Sequence, residues 1–298
     1  MIERLRDAWR PEWSRWLALA AIAVSIGFTL FILSRQAWTM SDGLEYQEAA
    51  QRLRDGAQLY VPAEIGERSY RYAPWFAYLW MAVPFPDALW IGAMTVCAVL
   101  AVIPVAMTGW LGIALGAVVF PYLLIAAMGG HVQPALIAAL AWGLGTRWGP
   151  IVIAIVASLK LTPIVYVAVF IARRQWVKAA VTIGLTIVLV APMLLFDLSN
   201  FPADTTGSWG LFEWSPILWL VVVAGLAAYV LVRPSWMAAS ALATLSIPKF
   251  VYYDVAYLVT GQLADQRERE REAAALEPTP DVSYPAVRPT SGGESRIT

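Results

Sequence analysis

Six residues have types and spacing that fit a chemical site: Asp42, Arg71, Tyr72, His131, Gln133 and Lys160. Asp42 follows a charge-free run, 17–33, and opens the stretch Ser41-Asp42-Gly43-Leu44-Glu45. A carboxylate there is a helix cap, because Asp42 followed by Glu45 is close to a capping box, or a general base at the mouth of an intramembrane cavity. The two roles are compatible. Arg71 and Tyr72 belong to Tyr70-Arg71-Tyr72-Ala73-Pro74-Trp75. Aromatics beside a cation fit an interfacial belt, or the lining of a sugar or lipid-phosphate site. The only histidine, His131, and Gln133 share Gly129-Gly130-His131-Val132-Gln133-Pro134, which reads as a tight turn or as a polar site facing Asp42. Lys160 interrupts an apolar run at Leu159-Lys160-Leu161-Thr162-Pro163. An ionisable group at bilayer depth costs on the order of 2.5–3.5 kcal/mol. Lys160 therefore needs an anionic partner, a role a phosphate would fill, or it snorkels to a surface. Lys249 and Asp254 read as a pair of their own.

Other chemistries find less support. One His and one Cys cannot build a nitrogen–sulfur metal site, and the carboxylates of the first loop form no tight pair for Mg²⁺ or Mn²⁺, so no metal or cofactor is assigned. A nucleotide-binding glycine loop is absent from the sequence. Cys97 lies in an apolar run and reads as packing.

The elements that must position these residues follow from composition. Of 298 residues, 59% are hydrophobic and 14% charged, and the mean hydropathy is +0.62. Soluble domains are roughly 45–50% apolar and 25% charged, so a soluble enzyme is excluded and a multi-spanning helical membrane protein is expected. Fifteen Trp agree with interfacial belts. With 21 basic and 21 acidic residues the net charge is zero, and no nucleic acid partner is implied.

Spans are expected at 17–33, 87–107, 109–128, 132–146, 179–196 and 215–232, with the basic N-terminal segment in the cytoplasm. The hydrophilic stretch 34–72 is then the first outside loop. Residues 41–56 in it form an amphipathic helix ended by Gly56. Segment 73–85 is apolar but short, and reads as interfacial or re-entrant. If 148–172 crossed once, Arg147 and the Arg173/Arg174/Lys178 cluster would face opposite sides. Two half-helices broken at Lys160–Pro163 keep both basic groups inside. Such breaks are tolerated where they line an enclosed, wet cavity. The stretch 235–263 is one kinked span or a second broken pair. Residues 1–263 thus form the membrane domain. Residues 264–298 read as a polar, disordered cytoplasmic tail with room for one short charged helix.

One family shares this order of motifs. A span, Asp42, then Tyr46-x-x-Ala49-Ala50-x-x-Leu53-x-x-Gly56-x-x-Leu59-Tyr60, then Tyr70-x-Tyr72-x-Pro74, Gly130-His131-x-Gln133, Leu159-Lys160-Leu161-Thr162-Pro163 and Arg173-Arg174-Gln175-Trp176 follow one another. Together they resemble the polyprenyl-phosphate-mannose-dependent glycosyltransferases of glycosyltransferase family 87, in the GT-C superfamily. These include phosphatidylinositol-mannoside mannosyltransferases. The resemblance covers roughly residues 17–180. It implies an all-α, polytopic GT-C fold in a bacterial plasma membrane, with its active site on the outer face. It further implies transfer of a hexose, commonly mannose, from a polyprenyl-phosphate donor to a glycolipid or glycan hydroxyl. Asp42 matches the family's acidic residue after the first span and would be the general base. Lys160 is inferred to contact the donor phosphate. Arg71, Tyr72, His131 and Gln133 are the expected donor- or acceptor-binding residues. Attack opposite the leaving group predicts inversion. Two other functions fit the same features: a catalytically silent membrane subunit, and a small lipid or solute transporter with the broken helix as its substrate site.

Overall fold

A computed structural model describes residues 12–35, 40–61, 70–199, 201, 210–248 and 251–276. Every regular element among them is helical. In chain order these are α1 (Glu12–Arg35), α2 (Ser41–Arg54), α3 (Pro74–Ala82), α4 (Asp87–Ala106), α5 (Trp110–Met128), α6 (Gln133–Gly143), α7 (Gly149–Leu159), α8 (Val167–Ala172), α9 (Trp176–Val190), α10 (Leu211–Trp214), α11 (Pro216–Val232), α12 (Trp236–Leu245) and α13 (Tyr257–Leu276). Turns of 3-10 helix at Thr162–Tyr166, Ala191–Leu195 and Tyr252–Ala256 adjoin α8, α9 and α13.

Four helical stretches are long and apolar enough to cross a membrane: α1, α4, α5, and α9 with the turn that prolongs it. Their outer faces carry bare apolar side chains, Val24 and Leu30 on α1, Val96 on α4 and Ile187 and Val188 on α9. Water would penalise such surfaces and lipid does not. Of the N-terminal arginines only Arg15 is described, and it lies over the Trp110 ring. Helices α4 and α5 form a close hairpin through Gly109. A Cβ on Gly112 would sit 2.0 Å from the Val105 carbonyl oxygen, so only glycine lets the two backbones approach this far.

Between the long helices lies a core of short ones. Helix α6 has 11 residues, roughly 16.5 Å at 1.5 Å per residue. That is about half of a 30 Å hydrocarbon layer, which corrects the full span expected at 132–146. Gly145, at φ +71°, turns the chain into α7, also 11 residues. The chain breaks at Lys160, whose backbone is extended (φ −131°, ψ 113°), and returns through Thr162–Tyr166 and α8. The expected half-helix pair is therefore present, and its two ends share one end of the bundle. Arg173 bonds Glu268, Arg267 bonds the Ala141 carbonyl, and Arg271 bonds the Gly145 carbonyl.

The structure also decides the open reading of 235–263. Helices α12 and α13 run antiparallel, and the 3-10 turn Tyr252–Ala256 leads into α13. The register is fixed by Asp265, which caps Trp236 and Met237, by Ser240 beside Thr260, and by Thr244 beside the Asp254 carbonyl. Gly261 makes this packing possible: a Cβ there would lie 2.6 Å from the Trp236 carbonyl oxygen. Helix α13 runs unbroken to Leu276. The stretch after 263, expected as tail, is helical for 13 more residues in the span Tyr257–Leu276, because Asp265, Arg267, Glu268 and Arg271 each find partners on the bundle. Residues 277–298 lie outside the described residues.

Helix α2 ends as its sequence predicts. Gly56 takes φ +66°, with Ala57 N–H bonding the Arg52 carbonyl and Gly56 N–H the Leu53 carbonyl, the paired bonds of a Schellman cap. Helix α3 is nine residues long and packs on α2 without crossing.

Candidate functional site

Asp42 occupies the second position of α2, whose N-cap is Met40 with no side-chain cap bond. The Gly129 carbonyl holds the start of the helix instead, accepting from Asp42 N–H at 2.8 Å and from Gly43 N–H at 3.4 Å. Gly129 and Gly130 permit this approach. A Cβ on Gly129 would lie 3.2 Å from Asp42 Oδ2. A Cβ on Gly130 would lie 3.0 Å from Gly43 N, and Gly130 has φ +73°, a conformation that favours glycine. The Asp42 carboxylate faces the Gly129–Gly130 turn. Trp90 Nε1 locks the other side of that turn, donating to the Gly130 carbonyl at 2.7 Å.

A chain of polar groups runs inward from there. Val132 N–H donates to the Tyr46 hydroxyl at 3.2 Å, and Tyr46 donates to Tyr72 at 3.3 Å. His131 Nε2 is 3.2 Å from the Tyr72 hydroxyl and 3.2 Å from that of Tyr253. Its Nδ1 accepts the Gln133 N–H at 2.9 Å. That bond puts the ring proton on Nε2, so His131 is a neutral imidazole offering its N–H between two phenols. Burial pushes the Tyr46 and Tyr72 hydroxyls well up, and the nearby Asp42 charge adds to this. Tyr60 and Tyr70 are raised by burial as well. They brace the loop by donating to the Tyr72 and Ala73 carbonyls at 2.9 and 2.8 Å.

The chain ends at the two helix breaks. Lys160 Nζ lies 4.5 Å above the Tyr253 ring and 3.2 Å from Asp254 Oδ1. Asp254 Oδ2 accepts the Val251 N–H at 3.1 Å. The Lys160 side chain is 20% exposed and that of Asp254 only 2%. The anionic partner that Lys160 requires is therefore supplied by the chain. The expected pairing of Asp254 with Lys249 lies outside the described residues, and the Asp254 carboxylate means that no phosphate is needed to neutralise Lys160. Beside the pair, Gln133 is fully buried. Its carboxamide and the buried Tyr257 hydroxyl have no hydrogen-bond partner of good geometry among the described residues, although they adjoin one another. Trp75 Nε1 donates to Ser158 at 3.1 Å and ties α3 to the end of α7.

Five of the six expected site residues thus meet at one end of the bundle: Asp42, Tyr72, His131, Gln133 and Lys160. Arg71 is exposed next to Tyr72. The loop after α9 reaches this same end, where Gln58 donates to Asp197 at 3.3 Å. The Ser199 N–H holds the exposed Asp197 carboxyl below the usual carboxylate range. Tyr46, Tyr253 and Tyr257 are site residues that sequence reasoning missed. A tyrosine in an apolar chain gives no signal of its own, whereas Asp254 did, as a charge in an apolar run. Among the described residues no group of three metal-ligating side chains occurs.

Among the described residues, the fold and site define an all-helical arrangement with four helices long and apolar enough to cross a membrane and a buried polar cluster between short, interrupted ones. No family model, curated protein or solved structure matches the chain.

Proposed function

We propose that this chain is an integral membrane glycosyltransferase of GT-C type, which moves a hexose, mannose in the first instance, from a polyprenyl-phosphate donor to a hydroxyl of a glycolipid or glycan. The observation that carries the reading is the position of Asp42: a carboxylate held against Gly129, at the same end of the bundle as His131, Tyr72 and Lys160. The motif order given above supports it. In this reading the N-terminus is cytoplasmic and the Asp42 end faces outward across a bacterial plasma membrane.

The chemistry follows from these groups. Asp42 takes the proton of the acceptor hydroxyl as that oxygen attacks the anomeric carbon. The bond from that carbon to the phosphate oxygen breaks, and the lipid phosphate leaves as a stable anion that needs no general acid. Arg71 and the exposed part of Lys160 supply positive charge to it. Asp254 shares the charge of Lys160, so the lysine acts as half of a fixed dipole rather than as a free cation. Attack opposite the leaving group inverts the anomeric centre.

The test is incubation of purified protein with labelled polyprenyl-phospho-mannose and a native lipid extract. Labelled glycolipid is expected, and none with Asp42→Asn. Absence of product from the parent protein with mannosyl and glucosyl donors alike sinks the reading. The Lys160–Asp254 pair favours a second one, because a pair at the junction of two broken helices is the arrangement of a transporter site. Uptake of a lipid or solute into liposomes without glycosyl product would decide for it.

A further inference from the structure

One cavity lies away from the polar cluster. It is a groove of about 380 Å³ on the other side of α2, between that helix and the end of α3, within the roughly 300–1,000 Å³ range of small-molecule pockets. Gln47, Glu48, Gln51 and Arg54 form one wall, spaced i, i+1, i+4 and i+7 along a single helix face. Trp80 and Phe85 form the floor, edge to face with centroids 5.3 Å apart.

The wall is pre-set. Gln47 Nε2 donates to Asp87 at 2.8 Å, Gln51 Nε2 to the Asp55 carboxylate at 2.9 and 3.1 Å, and Arg54 Nη2 to the Met81 carbonyl at 2.8 Å. Each bond orients a planar polar group and leaves it further N–H donors for a ligand. The two carboxamide oxygens keep no partner among the described residues. The lining carries one acid, Glu48, beside Arg52, and one base, Arg54, while Asp55 and Asp87 are bonded to the wall's carboxamides, so the groove has no excess of positive charge to hold an anion. A ligand that matches must offer hydroxyls that both donate and accept, and an apolar face for the rings. We infer that this groove is a binding site for a neutral saccharide of one or two pyranose rings. Gln47 follows Asp42 by five residues, roughly 7.5 Å along the helix axis. Under the transferase reading, and resting on it, the non-reacting sugars of the acceptor lie here. The binding itself requires no catalysis.

The experiment is saturation-transfer NMR on the full chain in a zwitterionic, sugar-free detergent, with a mannobiose at millimolar concentration. Transfer to the disaccharide ring protons is expected. Gln51→Ala and Phe85→Ala should each weaken binding at least about tenfold. Gln51 is exposed, so the thermal midpoint of Gln51→Ala should match the parent. Absence of transfer in the parent, equal binding by both groove variants, or tighter binding of a hexose phosphate overturns the assignment. Binding in the absence of any glycosyl transfer would keep the groove and discard the transferase.

Discussion

The Lys160 ammonium lies 3.2 Å from the carboxylate of Asp254, a residue 94 positions later in the chain. Each sits at the break of a separate antiparallel helix pair, so one ion pair joins the two interruptions. Its carboxylate is almost wholly buried and its lysine one-fifth exposed. Removing one partner of a buried pair leaves an uncompensated charge, which costs about 3–5 kcal/mol. Asp254→Leu and Lys160→Met should therefore each lower the thermal midpoint of the detergent-solubilised protein. The double variant should lose less than the sum of the two. Strict additivity in the cycle would show that the pair does not couple the breaks.

The backbone at Asp42 is held by Gly129, whose carbonyl accepts both the Asp42 N–H and that of Gly43. Asp42→Asn should leave expression and thermal midpoint unchanged while lowering sugar transfer by about 10²–10⁴-fold, the usual reach of a positioned base. Transfer at the parent rate would remove Asp42 from the mechanism.

Gly130 and Gly129 separate stability from positioning. Gly130→Ala must carry φ +73° and meet Gly43 N at 3.0 Å, at a cost of about 1–3 kcal/mol, read as a lower thermal midpoint. Gly129→Ala has ordinary backbone angles (φ −73°), but its methyl meets Asp42 Oδ2 at 3.2 Å. It should reduce transfer by more than it reduces stability.

The C-terminal half of α13 braces the α6–α7 turn through Arg267 and Arg271, and braces Arg173 through Glu268. Truncation after Ala264 should cost folded protein, measured as a loss of monodisperse material on gel filtration in detergent. Truncation after Leu276 should not.

Sidedness is open to labelling in a Cys97→Ser background. Gln58→Cys, at the Asp42 end, should react with an impermeant maleimide in intact cells. Gln175→Cys, at the Arg173 end, should react only after lysis. Equal labelling of both would contradict the two half-helices between Arg147 and Arg173.

The sequence by itself determined the solvent, the long helices and the half-helix pair at Lys160, because each is a statement about local composition. A run of apolar residues is helical wherever no water meets its backbone, and a lysine and a proline inside such a run mark its break. It also singled out Asp42, His131, Gln133 and Lys160, since polar groups in an apolar chain stand out against their neighbours. Local pattern did not determine which charge answers which. Asp254 meets Lys160, 94 positions away in sequence, through the antiparallel folding of α12 on α13. The same limit hid Tyr46 and Tyr253, whose hydroxyls matter only because α2 and the second break are brought onto His131. It also hid the continuation of α13, where a hydrophilic run becomes ordered once the bundle offers carbonyls and an arginine to its side chains. Tertiary structure decided these points because ion pairs and hydrogen bonds depend on separations of about 3 Å, and the chain sets those separations only after distant segments have packed.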